Sequence, residues 1–367
     1  MTRVKNIKNI VCLQIIPTMG IGGVETGVRD ISNYLTKNRI KNYILCQEDK
    51  NNLLSPNLNI VTLTKLKFKN PLDQYQIKKF LKNFIKINKI NLVHISSRAP
   101  AFYLINFLKE LDLKVITSVH NIYKETNFLK SWYNSYLHKG DGVIYNSNFV
   151  ANSYKERNSS IKKFIIHRGV DVDYFKIQKN NNLKQSEKYI LLPSRVSNWK
   201  GHEILIKYFS KLPISLKKQF KIQIISLNRS KLEKQLTNLI KEYDLLSNVI
   251  MLKPTLDVRD YYDKCYLVVN MSKRPEGFGR TISEAMAMSK PVIAPNQGGT
   301  KEQLITFDKN LLFDVFSYDS FLNSLLYALS NYEMIKKKCR SHIIKNYSSD
   351  LMCKTTLEVY KTIFNQT

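Results

Sequence analysis

The sequence predicts an α/β protein built from two doubly wound domains that face a cleft. Three observations carry that expectation. The chain has 367 residues, more than one ordinary hydrophobic core organises. Short apolar runs alternate with amphipathic helical stretches along nearly all of it, the pattern of a parallel sheet covered on both faces. The alternation halts at a polar segment from Lys176 to Lys188 (KIQKNNNLKQSEK) and then starts afresh, which marks a linker. The expected domains are residues 1–178 and 179–347, and open parallel sheets bind ligands at the carboxy-terminal ends of their strands.

The elements follow in order. The run Ile10–Ile16 is a buried strand, closed by the glycine turn Met19-Gly20-Ile21-Gly22-Gly23 and followed by a helix over Val24–Leu35. Lys5 and Lys8 before it imitate a signal peptide, but the run is short, Gln14 interrupts it and no small-x-small cleavage site follows. Further strands are expected at Tyr43–Cys46, Ile60–Leu63, Leu92–Ser96, Val115–Val119, Val143–Asn146 and Phe164–His167. Helices are expected at Gln76–Ile87, Ala101–Leu111 and Phe128–His138. In the second half, strands are expected at Tyr189–Pro193, Lys221–Ser226, Asn248–Leu252, Tyr266–Asn270, Pro291–Ala294 and Asn310–Phe313. The matching helices are Gly201–Leu212, Lys231–Leu245, Thr281–Met288 and Ser320–Asn331.

Composition excludes several classes. At 43% hydrophobic residues, with 12 Gly and 10 Pro, the chain is neither disordered nor collagen-like. No apolar run approaches the roughly 18 residues of a membrane helix. The five cysteines are scattered without a CxxC, so neither a zinc site nor a disulfide scaffold is expected, and a reducing cytoplasm fits. The net charge of +29 suits nucleic acid, anionic lipid or acidic substrates. A solvated lysine surface, arising from a Lys-, Asn- and Ile-rich composition, accounts for it as well, so charge alone does not choose a function. No RNP motif, zinc finger or helix-turn-helix signal supports nucleic acid.

The densest chemistry lies in Arg274-Pro275-Glu276-Gly277-Phe278-Gly279-Arg280-Thr281-Ile282-Ser283-Glu284-Ala285-Met286-Ala287. A strand ends just before it. Gly277 and Gly279 permit close backbone approach to a ligand, and the helix opening near Arg280 and Thr281 offers free N–H groups to a phosphate. Glu284 lies within about a turn of that opening, in reach of sugar hydroxyls. Taken singly, Glu284 also complements a helix dipole and Glu276 is also a loop carboxylate.

Two glutamates separated by seven residues, within EGFG, EAMA, KPVIA and GGTKE, resemble the retaining glycosyltransferases of family 4, which have the GT-B fold of two Rossmann-like domains. The resemblance extends to Gly22-Gly23-Val24-Glu25, to Ser97-Arg98-Ala99-Pro100-Ala101 and to Thr117-Ser118-Val119-His120. It continues through Tyr145–Val150, His167–Asp171, Ser194-Arg195 and Trp199-Lys200-Gly201-His202. Ser348–Phe364 resembles the closing helix of such enzymes, which crosses back to the first domain, so 348–367 is assigned there. Two departures stand out: Ser226-Leu227-Asn228-Arg229 replaces a glycine turn, and Ser289-Lys290 replaces a glycine before the basic residue.

The resemblance implies transfer of a sugar from a nucleotide-sugar donor to a glycan or glycolipid acceptor, as in lipopolysaccharide or other cell-envelope synthesis. It implies that Arg195 and Lys200 neutralise the donor pyrophosphate, that Glu276 holds the sugar hydroxyls and that Glu284 accepts the ribose hydroxyls. It implies that His120 faces the donor sugar from the first domain, and that Gly22, Gly23, Gly277, Phe278, Gly279, Arg280 and Thr281 shape the binding site. Asp171-Val172-Asp173 imitates a metal-binding DxD, but the family uses this Asp in a turn, so no metal or other cofactor is expected. His94 is expected to be structural. A sugar-nucleotide epimerase of the same fold and a basic nucleic-acid-binding protein are the competing functions; no nucleic-acid partner is expected. Tyr75–Ile90 places Ile77, Phe80, Leu81, Phe84 and Ile85 on one side among lysines, which suits an anionic membrane surface or a helix packed on its own sheet. Phe128–Tyr136, with Trp132, Tyr133 and Tyr136 beside Lys130 and Lys139, is a second candidate, for an interface, an acceptor groove or core packing. The expected location is cytoplasmic, on the inner face of the membrane.

Overall fold

The computed structural model describes residues 10–20, 22–49, 58–64, 70–154, 160–177, 187–226, 230–255 and 257–365. Lys5, Lys8, Ile21, residues 178–186 of the polar linker and Leu227, Asn228 and Arg229 lie outside the described residues. The chain divides into two units, Met1–Gly169 with Ser349–Thr367, and Val170–Ser348.

The first unit contains β1 (Cys12–Ile15), β2 (Thr18–Met19), β3 (Asn42–Cys46), β4 (Glu48–Asp49), β5 (Ile60–Thr62), β6 (Leu92–Ile95), β7 (Lys114–Val119), β8 (Gly142–Tyr145) and β9 (Lys162–Ile165). Seven of these form a parallel sheet in the order β5-β3-β1-β6-β7-β8-β9, while β2 and β4 pair separately. All four residues of β1 and of β6 are buried, because helices cover both faces at the centre of the sheet. The edge strand β9 begins earlier than its apolar run, at the exposed Lys162 and Lys163, since an edge strand needs no apolar residue at each position. The helix Ser349–Phe364 packs on Gly23–Lys37 and buries Tyr360 and Ile363 beneath the sheet.

The second unit contains β10 (Lys188–Leu192), β11 (Phe220–Ile225), β12 (Val249–Leu252), β13 (Leu267–Val269), β14 (Val292–Pro295) and β15 (Leu312–Phe313). They form a parallel sheet in the order β12-β11-β10-β13-β14-β15. The strand order reverses direction between β10 and β13, and between β1 and β6 in the first unit. Crevices at carboxy ends beside such reversals are where doubly wound sheets bind ligands.

The first unit boundary lies at Gly169/Val170, ahead of the 178/179 expected. The Val170 N–H donates to Tyr347 O at 2.9 Å, and the Arg340 guanidinium donates to the carbonyls of Val172 and Phe175, both at 2.8 Å. These bonds tie the segment to the helix Tyr332–Tyr347, a helix absent from the expectations above. Its buried face is Ile335, Cys339, Ile343 and Tyr347, one residue per four, legible once the period is counted.

Gly201 opens the helix His202–Lys211 at φ 69°, and a Cβ there would sit 2.0 Å from Met271 O, a backbone atom that cannot swing away. Gly201→Ala is therefore expected to lower the melting temperature by several degrees, through left-handed backbone cost and the clash together. Gly20→Ala, whose Cβ meets open space, is expected to leave it in place. Equal melting curves for the two variants would refute this packing.

Candidate active site

Lys200 and Glu276 meet at the carboxy ends of β10 and β13, while Arg195 stands on the loop after β10 and Glu284 on the helix after the Glu276 loop. The chain leaves β13 through Asn270 and carries Glu276 on the following loop. One carboxylate oxygen, Oε1, gathers three donors. Lys200 Nζ lies at 2.8 Å, Asn270 Nδ2 donates at 2.9 Å and Ser272 Oγ donates as well. Burial by itself raises the Glu276 carboxyl, but Lys200 and the bonds from Ser272 and Asn270 outweigh it and hold the group below its usual value. Glu276 is thus a charged, oriented acceptor.

Lys200 comes from the loop after β10 and packs its ammonium 4.1 Å over the Trp199 ring. Lys273 N–H donates to Trp199 O at 2.7 Å and ties this loop to the one after β13. Arg195 is exposed, with no ion pair or hydrogen bond to a described residue. The hydroxyls of Ser194 and Ser197, on the same loop, are buried without a hydrogen-bond partner among the described residues. A free guanidinium, an ammonium and two unused hydroxyls on one loop suit an oxyanion.

The glycines act by contact. Gly279 caps the helix Arg280–Ala287 at φ 88°, and Gly298 and Gly299 bring the helix Gly298–Ile305 against the Glu276 loop. A Cβ on Gly299 would lie 2.6 Å from Gly277 O, and Gly299 N–H donates to Glu276 O at 2.8 Å. Phe278 turns its side chain into the core, 5.7 Å from the Tyr347 ring, so the side chain supports the loop rather than facing a ligand. Gln303 Nε2 holds the Phe278 carbonyl at 2.7 Å. Thr281 Oγ1 lies 3.4 Å from Asn270 Nδ2.

Glu284 stands one turn inside its helix. Its carboxylate accepts from Tyr262 OH at 3.0 Å and pairs with Arg280 at 3.1 Å. Burial raises its pKa, and Arg280 and Tyr262 oppose that rise. Arg280 Nε is buried without a hydrogen-bond partner among the described residues.

In the first unit, Gly22 and Gly23 lie at the start of the helix Gly23–Lys37, whose N-terminus has no side-chain cap. His120 follows β7. Neither of its ring nitrogens has a hydrogen-bond partner among the described residues, and both are buried. They border a cavity of about 20 Å³, room for one water, lined also by His94, Ser96, Ser118, Asn146 and Arg168. Burial first, then the charge of Arg168, pushes the His120 pKa well below its usual value, so the ring is neutral. Sequence reading set His94 aside as structural. The structure places it on the same cavity, with Nδ1 2.6 Å from Tyr360 OH and Nε2 2.7 Å from Ser118 Oγ. Burial lowers its pKa to about 3.

Asn270, Ser272 and Tyr262 escaped the sequence reading, although VVNMS at the end of β13 carries the polar signal for two of them. Asp171 accepts through Oδ1 from the N–H groups of Asp173 and Tyr174 at 3.0 and 2.9 Å, the pattern of an Asx-type turn. Among the described residues, no group of three or more His, Cys, Asp or Glu could hold a metal ion. No described helix is long and apolar enough to cross a membrane. The helix Pro71–Asn88 buries Ile77, Leu81 and Ile85 in its own unit, and Phe80 and Phe84 stack at 5.6 Å. Its apolar face is consumed by the core, leaving lysines, Leu72, Tyr75 and Ile87 outside.

Two doubly wound parallel units, with a lysine-paired glutamate at the switch point of one, define a GT-B type of chain. A solved glycosyltransferase from Rickettsia africae superposes with a TM-score of 0.84 at 26% identity, over 98% of this chain and 99% of that one. Residues 21–174 match the family described as Glycosyltransferase Family 4, and residues 173–347 match Glycosyl transferases group 1. The chain belongs to glycosyltransferase family 4 and is a glycosyltransferase. It is 27% identical over 313 residues to the O-antigen biosynthesis glycosyltransferase WclY of Escherichia coli, covering 79% of this chain and 84% of that protein. It is 25% identical over 240 residues to the lipopolysaccharide 1,2-N-acetylglucosaminetransferase of Salmonella typhimurium, covering 61% and 63%.

Proposed function

We propose that the chain moves a sugar from a nucleotide-sugar donor to a glycan or glycolipid acceptor of the cell envelope, with retention at the anomeric carbon. One observation carries this most: Glu276, on the loop after β13, is held charged by Lys200 at 2.8 Å, and the helix that follows this loop carries the second carboxylate, Glu284. In this reading Arg195 and Lys200 take the diphosphate. Charge builds on the leaving oxygen as the glycosidic bond breaks, and fixed cations aimed there lower the barrier. Glu276 accepts from the donor sugar's hydroxyls, and its existing three donors fix its orientation. Glu284 accepts from the ribose, with Tyr262 and Arg280 as its supports. Gly277 and Gly279 let the backbone approach, and Arg280 and Thr281 open the helix toward the nucleotide. In the first unit, neutral His120 serves as a hydrogen-bonding group for the sugar, and Gly22 and Gly23 supply backbone N–H groups. The reaction needs no metal ion in this proposal and no nucleic acid.

The acceptor class rests on relatives. The Escherichia coli relative is named for O-antigen biosynthesis and the Salmonella one as a lipopolysaccharide N-acetylglucosaminetransferase, and a third, from Campylobacter jejuni, is named for transfer onto a diphospho-undecaprenol-linked sugar. The location that follows is the cytoplasmic face of the membrane, where nucleotide-sugars and such acceptors meet. The test incubates the enzyme with radiolabelled UDP-, GDP- and ADP-sugars and a bacterial lipid extract, with EDTA present. Label from one donor is expected in the organic phase, with its anomeric configuration unchanged. Inverted product, or transfer only after a divalent ion is restored, would overturn those parts of the proposal.

A further inference from the structure

The helix Phe128–Ser135 and the loop before it carry an apolar tip that neither unit's core uses. Phe128 is 80% exposed, Leu129 68%, Trp132 44% and Ile122 43%. Single exposed apolar residues are ordinary, but four within eleven positions make a patch.

The tip is rigidly mounted. Phe102 receives Trp132, Tyr133 and Tyr136 with ring centroids 4.9, 4.9 and 4.8 Å away. The Arg98 guanidinium lies 4.0 Å over the Tyr123 ring and donates to Asn134 Oδ1 at 3.3 Å. Asn127 caps the helix by accepting from Lys130 N–H at 2.9 Å. One face of this aromatic helix is therefore clamped, and Phe128 and Leu129 are held outward at its first turn.

The surroundings are basic. Between Asn121 and Lys139 the cations are Lys124, Lys130 and Lys139, and the one acid, Glu125, accepts from Asn134 Nδ2 at 3.1 Å. The helix Pro71–Asn88 lies in the same layer, one helix removed across Arg98–Glu110, and exposes Lys79, Lys82 and Lys86. An apolar tip with an indole at its edge and lysines around it matches the chemistry of an anionic bilayer, where apolar groups enter the acyl boundary and lysines meet headgroups. A protein partner fits less well. Four such side chains expose on the order of 400 Å², about half of what one side of a stable protein interface buries, and lysine is depleted from interface cores.

We propose that the Ile122–Trp132 tip docks the enzyme on an anionic membrane surface, with the exposed lysines of Pro71–Asn88 as an auxiliary electrostatic contact. The sequence offers both helices as candidates, and the apolar face of Pro71–Asn88 is buried. This inference goes beyond the catalytic reading and does not depend on it.

The test uses the full chain, without donor or acceptor, and vesicles of phosphatidylglycerol with phosphatidylcholine against pure phosphatidylcholine. Wild type is expected to sediment with the anionic vesicles at low salt and to release as salt rises. Its tryptophan emission is expected to shift to the blue on binding, and that shift should vanish in Trp132→Phe, which keeps the apolar contact and still sediments. Phe128→Ser with Leu129→Ser is expected to lose at least about tenfold in partitioning with an unchanged melting temperature, both side chains being exposed. Lys79→Glu with Lys82→Glu is expected to weaken binding less. Three results would each overturn the proposal: wild type failing to bind anionic vesicles, the serine pair binding as wild type does, or a wild-type dimer that the serine pair dissolves. Transfer to a water-soluble acceptor by the serine pair should stay normal, which separates a failure here from a failure of the catalytic assignment.

Discussion

Replacing Lys200 with alanine is expected to slow sugar transfer roughly 10²–10³-fold, the usual loss when one electrostatic stabiliser of a transition state is removed. Two effects combine. The diphosphate leaves without its ammonium, and Glu276 loses its counter-charge at 2.8 Å. In the wild type, burial raises the Glu276 carboxyl, and Lys200 with its hydrogen-bonding neighbours more than offsets that. The pair's stabilisation is therefore present above the ordinary carboxylate pKa and is lost as pH falls through the lowered value. Without Lys200 the burial effect prevails, the carboxyl moves up, and the acid limb of the turnover profile should move to higher pH. Arg195→Ala should cost roughly 10²-fold without touching that limb, since Arg195 is exposed and makes no bond to Glu276. Turnover measured against pH for both variants checks this, and a wild-type acid limb in Lys200→Ala would remove the pair from the mechanism.

The two glutamates should separate in a titration. Glu284→Gln is expected to weaken binding of the free nucleoside diphosphate by roughly 10–150-fold, corresponding to about 1.5–3 kcal/mol for a charged hydrogen bond to the ribose. Because burial raises the Glu284 pKa, wild-type affinity should begin to fall with decreasing pH above the ordinary carboxylate range. Glu276→Gln should leave diphosphate affinity nearly unchanged and lower kcat, because its contact with the sugar strengthens as the bond breaks. A reversed pattern would exchange the two roles.

Much of this was readable from residues. The central strands β1, β6 and β7 announce themselves because both faces are covered, which writes apolar runs interrupted only by the buried polar residues Gln14, His94, Thr117 and Ser118 after Lys114 opens β7. The edge strand β9 starts on lysines and hides its true beginning. Glu276 and Glu284 stood out as candidates because they sit in a dense motif, and Lys200 through the separate stretch Trp199-Lys200-Gly201-His202. Ser194, Ser197 and Tyr262 were not, since a hydroxyl gains its meaning from burial and partners that only the fold supplies. Phe278 shows the converse: a motif residue whose side chain belongs to the core. The helix Pro71–Asn88 shows why amphipathicity alone is ambiguous, for a sheet and a bilayer ask for the same apolar stripe.

Calorimetric titration of UDP, GDP and ADP into the wild type, Lys200→Ala and Glu284→Gln tests the second unit's site most directly. The expected result is one nucleoside diphosphate bound per wild-type chain, with affinity at least about tenfold weaker in each variant. Absence of binding to the wild type, or equal affinity in all three proteins, would contradict the assignment of a donor nucleotide to the carboxy ends of β10 and β13.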